Sequence, residues 1–497
     1  MMNTFKFARV MLATSCAVVL LSSCASYKGI ETSGTLNQPQ SYAATQSLPG
    51  EHGQWPDTAW GQTIGGVPLQ SLVDEAVAGN PNLQVAAARV AAAKAAAQVA
   101  RSNSEIKGSA SFQGTYQRYT ENGLVPAPLA GTYDSDNSLT LNFSYDLDFW
   151  GRHAAEFRSA ISQDKAAQAE QYNARLMIST AVARGWIQLG HIYAQRDLNQ
   201  LQLDTAEKLK SLTQMRYRVG LEDASNTQTV EQSLAFLRAQ QSSLDEAIGL
   251  TRNQLAALMG KGPDRGLQIA RPVLPTESAV TLPDQLPLAL LGRRPDLVAA
   301  RWRVEAAQGG IDASKAAFYP NINLTAFAGF SSLGLSNLLE SGSRIAGIGP
   351  AITLPILSSG ALRGGLKQQV ANYDATVATY NQALTDALHD VADQVQSLRA
   401  AEQQSKQQHA GTQAASVSLK LAQDRERVGT SNMLPVLLSQ LGLLAQQRNE
   451  LDSLARRSDL RIALIKAMGG GFDAASLGLS KEVATPSTDS TPVRNAS

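Results

Sequence analysis

"LTLNFSYDLDF", residues 139–149, decides how the rest of the chain is read. Leu139, Leu141, Phe143, Tyr145, Leu147 and Phe149 alternate with Thr140, Asn142, Ser144, Asp146 and Asp148. A period of two marks a strand with one apolar and one polar face. From Trp150 the text "WGRHAAEFRSAISQDKAAQAEQ" drops that period for an alanine-rich helical one. A two-faced strand runs straight into a very long helix, and the fold must use both.

The same arrangement occurs twice. "RYRVG" at 216–220 returns as "RERVG" at 425–429, an offset of 209 residues. The same offset pairs Gly151 with Gly360, Leu189 with Leu398, Leu234 with Leu443 and Met259-Gly260 with Met468-Gly469. Upstream, "NPNLQVAAARVAAAKAA" (80–96) matches "RPDLVAARWRVEAAQGG" (294–310) at offset 214. A colinear series of this kind is a tandem duplication. Each unit reads helix, strand, loop, strand, long helix, turn, helix. The first repeat takes 67–262, with a helix over 81–103 capped by Asn80, strands over 109–119 and 138–149, and helices over 152–218 and 225–258. The proline-punctuated stretch 263–284 is a linker. The second repeat, 285–470, predicts helix 295–316, strands 321–331 and 344–356, and helices 362–427 and 433–468. Residues 471–497 read as a flexible tail.

Lengths narrow the choices. A helix of ~67 residues is roughly 100 Å long, more than one compact domain needs. Strands of ~11 residues match a tilted transmembrane β-strand. An open four-stranded sheet cannot persist in lipid, because its edge N–H and C=O groups would go unpaired. Such a sheet has to close with copies of itself, placing Leu141, Phe143 and Leu147 toward lipid and Asn142, Ser144 and Asp146 toward a lumen. A soluble sandwich with one wet face shares the alternation.

The N-terminus supplies a compartment. Lys6 and Arg9 precede the apolar run "VMLATSCAVVLL", which has the length of a signal-peptide core and is too short to span a bilayer. It ends in "LSSC" (21–24), which resembles a bacterial lipoprotein box. Residues 1–23 are then a signal peptide, Cys24 carries lipid, and 24–66 form an anchored tether rich in Gly, Ser, Thr, Gln and Pro. A plain secretory signal with an incidental cysteine is the alternative. The only other cysteine, Cys16, leaves with the signal.

Composition excludes other classes. Among 497 residues, 43 basic and 42 acidic side chains nearly cancel, so no basic field points to nucleic acid. Aromatics are only 6%, which favours long thin helices over a thick core. The five histidines (52, 153, 191, 389, 409) have no metal-ligand spacing, and there is neither a nucleophile elbow nor a P-loop. No enzyme activity, metal or cofactor is expected. "DSD" at 134–136 falls in the expected loop between the first two strands.

"YDLDFWGRHAAEFRSA", "RRPDLVAARWRVEAAQGGIDASKAAFYPNINLTAFAGFSS", "RYRVGLEDA" and "RERVGT" resemble the motifs of TolC/OprM-type outer-membrane efflux factors, in their lipoprotein (NodT-like) branch. The similarity runs from about residue 60 to 470. It implies a mainly α fold with membrane β: tandem-duplicated helical hairpins plus four strands per chain, trimerising into a 12-stranded outer-membrane β-barrel continued by a periplasmic α-barrel. The implied function is the outer-membrane channel of a tripartite efflux system. The implied partners are a homotrimer, a periplasmic adaptor protein, outer-membrane lipid, and an inner-membrane pump of the resistance-nodulation-division or major facilitator type. A duct for type I protein secretion, or a non-conducting structural envelope lipoprotein, is the alternative. The family's Phe-Asp-Gly-Gly-like run at the second strand-to-helix corner is replaced here by "ILSSGALRGG", whose Gly360, Gly364 and Gly365 are expected to form a flexible corner.

By the same resemblance, the turns at 219–224 and 428–432 surround the periplasmic entrance. Val219, Gly220 and Leu221, with Val428, Gly429 and Thr430, match the turn presented to adaptors; a simple helix C-cap accounts for the glycines equally well. Gate candidates are Asp424 as a lumen-facing acid, Arg427 as its partner one turn along, and Arg425. Arg216 and Arg218 are candidates to tie the outer helix pair to the inner one. Basic residues at a helix C-terminus are also favoured by its dipole.

Overall fold

The fold is described from a computed structural model covering residues 26–38, 41–43, 46–48, 53–275, 283, 286–355 and 357–480. The expected signal peptide and Cys24 lie outside these residues, as does the end of the tail. In chain order the elements are α1 (Trp60–Gly79), α2 (Pro81–Ser102), β1 (Lys107–Arg118), β2 (Tyr133–Asp146), α3 (Arg152–Arg218), α4 (Ala224–Leu258) and α5 (Asp264–Leu267). Then follow α6 (Leu286–Arg293), α7 (Pro295–Ala316), β3 (Asn321–Leu333), β4 (Arg344–Thr353), α8 (Ser359–Arg427) and α9 (Met433–Ala467). Both long helices are free of proline; at 67 and 69 residues, each measures about 100 Å by the α-helical rise.

The contacts divide into two compact units. One holds residues 26–36, 89–167 and 300–381 and contains the whole sheet. The sheet is an antiparallel meander in the order β1-β2-β3-β4. Its β2 begins at Tyr133, five residues before the expected start, because pairing with β1 carries the polar Asp134–Ser138 stretch into the ladder as far as Arg118↔Tyr133. "DSD" is therefore strand, not loop. β2 stops at Asp146, three residues early: Asp148 takes φ +42° and Gly151 φ +70°, which turns the chain out of the sheet. β4 ends at Thr353, before Pro355, whose ring cannot extend the ladder.

In this unit the expected tether is held rather than free. Ile30 is buried with Ile311, Phe318, Leu366 and Val370. The backbone N–H groups of Ser33 and Gly34 donate to Asp374 on α8, at 3.1 and 2.9 Å, and the Ser33 hydroxyl adds a third bond at 2.7 Å. Asn381 donates to the Thr35 carbonyl at 2.8 Å, and Arg363 reaches the carbonyls of Ser26 and Lys28. Residues 26–35 thus form a strap along α8. The Gly34 and Ser33 bonds hold the Asp374 carboxyl below its usual range.

The other unit holds the described parts of 37–88, 168–299 and 382–480. Its main core joins Trp60, Ile64, Leu69 and Ala76 of α1 to Val182, Trp186 and Leu189 of α3, Ile248 and Leu255 of α4, and Ile462 of α9. α1 was expected to be tether over its first turns. Gly66 breaks the helical dihedrals at φ +68° and Pro68 follows, which hides the apolar periodicity, yet burial of Trp60 and Ile64 keeps those turns helical. The expected linker contains α5, pinned to α1 by a paired Arg265–Glu75 contact at 2.8 Å. A second cluster packs Leu203, Ala206 and Leu209 of α3 on Val230 and Leu234 of α4 and on Leu437 of α9.

Candidate functional site

Cross-strand register assigns every sheet residue to a face. One face carries Phe112, Leu139, Leu141, Phe143, Leu324, Ala326, Ala328, Phe330 and Ile348. The other carries Ser109, Ser111, Gln113, Thr140, Asn142, Ser144, Asn323 and Thr325. A water-soluble sheet buries its apolar face. Here Leu141 is 51% and Phe143 46% exposed, while Thr140, Asn142 and Ser144 between them are more covered. On the polar face Ser111 and Thr140 share a 2.8 Å hydrogen bond, and Asn142 donates to both. The sheet is inside out. Among the described residues, β1 pairs only with β2 and β4 only with β3, so both outer edges keep a row of unpaired backbone groups. Leu147 lies past the strand's end, although its N–H still donates to the Ile322 carbonyl at 3.1 Å.

The strand-to-helix corner after β2 is heavily built. The Asp148 carboxylate accepts from the N–H groups of His153 and Ala154, both at 3.0 Å, capping α3. Trp150 stacks on Tyr319 with centroids 4.5 Å apart and donates its indole N–H to the Pro320 carbonyl at 2.7 Å. His153 contacts Asp146 at 3.0 Å and Glu156 at 3.3 Å. Among the described residues the corner before α8 shows no such cap, stack or ion pair, and is held instead by the strap, through Arg363 and Leu366. Its glycines 360, 364 and 365 are helical rather than hinge-like, with open space where a Cβ would stand. A helix of this length propagates through glycine at about 1 kcal/mol each.

The two helix tips are copies of one motif. At the first, Leu221 N–H donates to Arg216 C=O and Gly220 N–H to Tyr217 C=O; at the second, Thr430 donates to Arg425 and Gly429 to Glu426. This is the Schellman C-cap, and its left-handed residue is Gly220 (φ +74°) or Gly429 (φ +76°). Asp223 then caps α4, and Asn432, at the same offset of 209 residues, caps α9. Val219, Leu221 and Val428 project from these tips, each about two-thirds exposed.

The charges at the tips differ. Arg427 pairs with Asp424 at 2.5 Å, both well exposed, as expected of one helix face. Arg216 pairs within its own turn with Glu222 at 3.0 Å, and both side chains are more than two-thirds covered. Hydrogen bonds from Asn226 and then Arg216 hold Glu222 below the usual glutamate range. Arg218 and the Arg425 side chain stand exposed. Glu222 was missed in the sequence, although its acidic place beside a basic helix end was a usable signal. Phe327 was missed too. It falls on the polar phase of "NINLTAF", where an aromatic breaks the alternation.

Among the described residues no helix is long and apolar enough to cross a membrane, and no group of three or more His, Cys, Asp or Glu could hold a metal.

Comparison with known proteins gives these features a family. The model described as "Outer membrane efflux protein" matches residues 72–261 and 286–470, one match per repeat, and the chain belongs to that family. It is a protein of the outer membrane, related to multidrug-resistance proteins of that membrane. It is 31% identical over 442 residues to the multidrug resistance outer membrane protein MdtQ of Escherichia coli O157:H7, covering 84% of this chain and 89% of that one. It is 37% identical over 317 residues to the fusaric acid resistance protein FusA of Burkholderia cepacia, covering 63% of this chain and 59% of that one. Among solved structures it matches the outer membrane protein VceC of Vibrio cholerae with TM-score 0.77 and 36% identity, covering 84% of this chain and all of that one.

Proposed function

We propose that three copies of this chain join edge to edge, β4 of one against β1 of the next, into a twelve-stranded barrel in the outer membrane, continued by an α-barrel in the periplasm. The assembly is the exit duct of a tripartite efflux system. An inner-membrane pump, of the resistance-nodulation-division or major facilitator type, delivers cargo through a periplasmic adaptor, and this protein supplies a wet path and a gate. The observation that carries the reading is the inside-out sheet with two open edges. In lipid each unpaired edge group costs several kcal/mol, and closure removes all of them. The apolar face then meets lipid while the Ser/Thr/Asn face lines water.

The two tips form the periplasmic mouth. Val219, Gly220 and Leu221, with Val428, Gly429 and Thr430, are the adaptor contacts. Asp424 and Arg427, with Arg425 beside them, line the gate; Arg216 shapes the outer tip through Glu222, and Arg218 stands beside it. Lipid on Cys24 anchors the strap. The test is reconstitution in planar bilayers, with the oligomer sized in detergent. A trimer that conducts is expected, and a stable monomer or a non-conducting oligomer overturns the reading.

A further inference from the structure

Among the strand residues, the polar face of the sheet carries a single aromatic side chain, with Ile345 and Leu333 as its other large apolar members. Rows across the four strands run Ser111–Thr140–Gly329–Ile345, Ser109–Asn142–Phe327–Gly347 and Lys107–Ser144–Thr325–Gly349. Phe327 stands among serine, asparagine and threonine, and the residue is 42% exposed. The ring lies across Gly347: a Cβ built there would meet it at 2.7 Å. Glycine at 347 thus makes room for the ring to lie over the strand backbone. Among the described residues the ring stacks on no other aromatic, so one π face stays open.

Charge on this face is biased one way. Register places Asp134, Asp136 and Asp146 on it against Lys107 alone. Asp136 lies six residues along β2 from the Phe327 row and Asp146 four, or about 20 and 14 Å at the rise of a strand. The open ring therefore sits between acidic levels, with Lys107 intervening two residues from its row on the Asp146 side. Ring quadrupoles attract cations, and flat rings stack, so both features select the same ligand class.

We propose that Phe327 is a stacking site for aromatic cations on the lumenal wall of the barrel. The proposal rests on the conduit reading above and adds a chemical preference to it. Three copies place three rings at one level. A bore of twelve strands is too wide for them to plug, so they lengthen the stay of aromatic cargo and leave the path open.

The experiment measures current block in planar bilayers of the full-length oligomer, with blocker added from the sheet side. Tetraphenylphosphonium and tetrabutylammonium are compared, two bulky monocations of which only the first has rings. In the wild type tetraphenylphosphonium binds about five-fold more tightly. Phe327→Leu, which still covers Gly347, brings the ratio to about one, while Phe327→Trp keeps or raises it. Asp134→Asn with Asp136→Asn weakens both cations alike and leaves the ratio unchanged. The proposal is overturned by a wild type that treats the two blockers equally, or by a Leu variant that keeps the preference. A wild type that carries no current sinks the conduit itself, which is a separate failure.

Discussion

The two strand-to-helix corners began as copies and are now opposites. The first is fastened by a double cap from Asp148, a Trp150–Tyr319 stack and the His153–Asp146 contact. The second puts serine and three glycines in the same place, and the buried Ser358 hydroxyl finds no hydrogen-bond partner among the described residues. Duplication kept the helix lengths within two residues of each other while the corners diverged. Rod length is thus held more tightly than the way each rod is attached.

Substitutions can break this contrast, and the largest effect is expected at Asp148. Asp148→Ala strips the cap from two backbone N–H groups and should destabilise the fold by about 1–2 kcal/mol, seen as a lower thermal midpoint in detergent. Glycine to alanine should then act with opposite signs at the two corners. Gly151→Ala forces a Cβ into φ +70° and should cost about 1–2 kcal/mol. Gly364→Ala, in a helix with free space around it, should add roughly 0.5–1 kcal/mol of stability. A gain at 151 or a loss at 364 would reverse the assignment of which corner is strained.

The tips repeat the contrast more mildly. Glu222 sits in a covered pair and Asp424 in an exposed one. Because the folded pKa of Glu222 lies below its unfolded value, its stabilisation is complete at neutral pH and fades as pH falls below the ordinary glutamate value of about 4.3. Protection factors of the amides at 216–224, taken against the intrinsic exchange rate at each pH, should therefore fall in acid, and Glu222→Gln should abolish that fall. The smallest effect belongs to Ser358→Ala. Removing a hydroxyl without a partner among the described residues should leave the thermal midpoint unchanged, whereas a clear drop would reveal a cap at the second corner.

The sequence was most informative where periodicity is long. Arg152–Arg218 and Pro295–Ala316 were legible to the residue because nothing interrupts them. The alternation in 139–146 likewise gave the strand and its two faces. Legibility failed where tertiary packing overrides local text. Trp60–Gly79 is helical despite Gly66 and Pro68, since its apolar side chains find a core. Tyr133–Ser138 is strand because β1 is long enough to pair with it. At the tips the glycines and Asp424–Arg427 were readable from local spacing. The Arg216–Glu222 pair was not, because a Schellman turn folds the chain back on itself.

The strap has a consequence for biogenesis. Ser33 and Gly34 meet Asp374 across some 340 residues of chain. The strap is therefore without its docking surface until α8 has been made and folded. Contacts of such sequence separation close late. Seating of the strap against α8 is therefore among the last steps of folding.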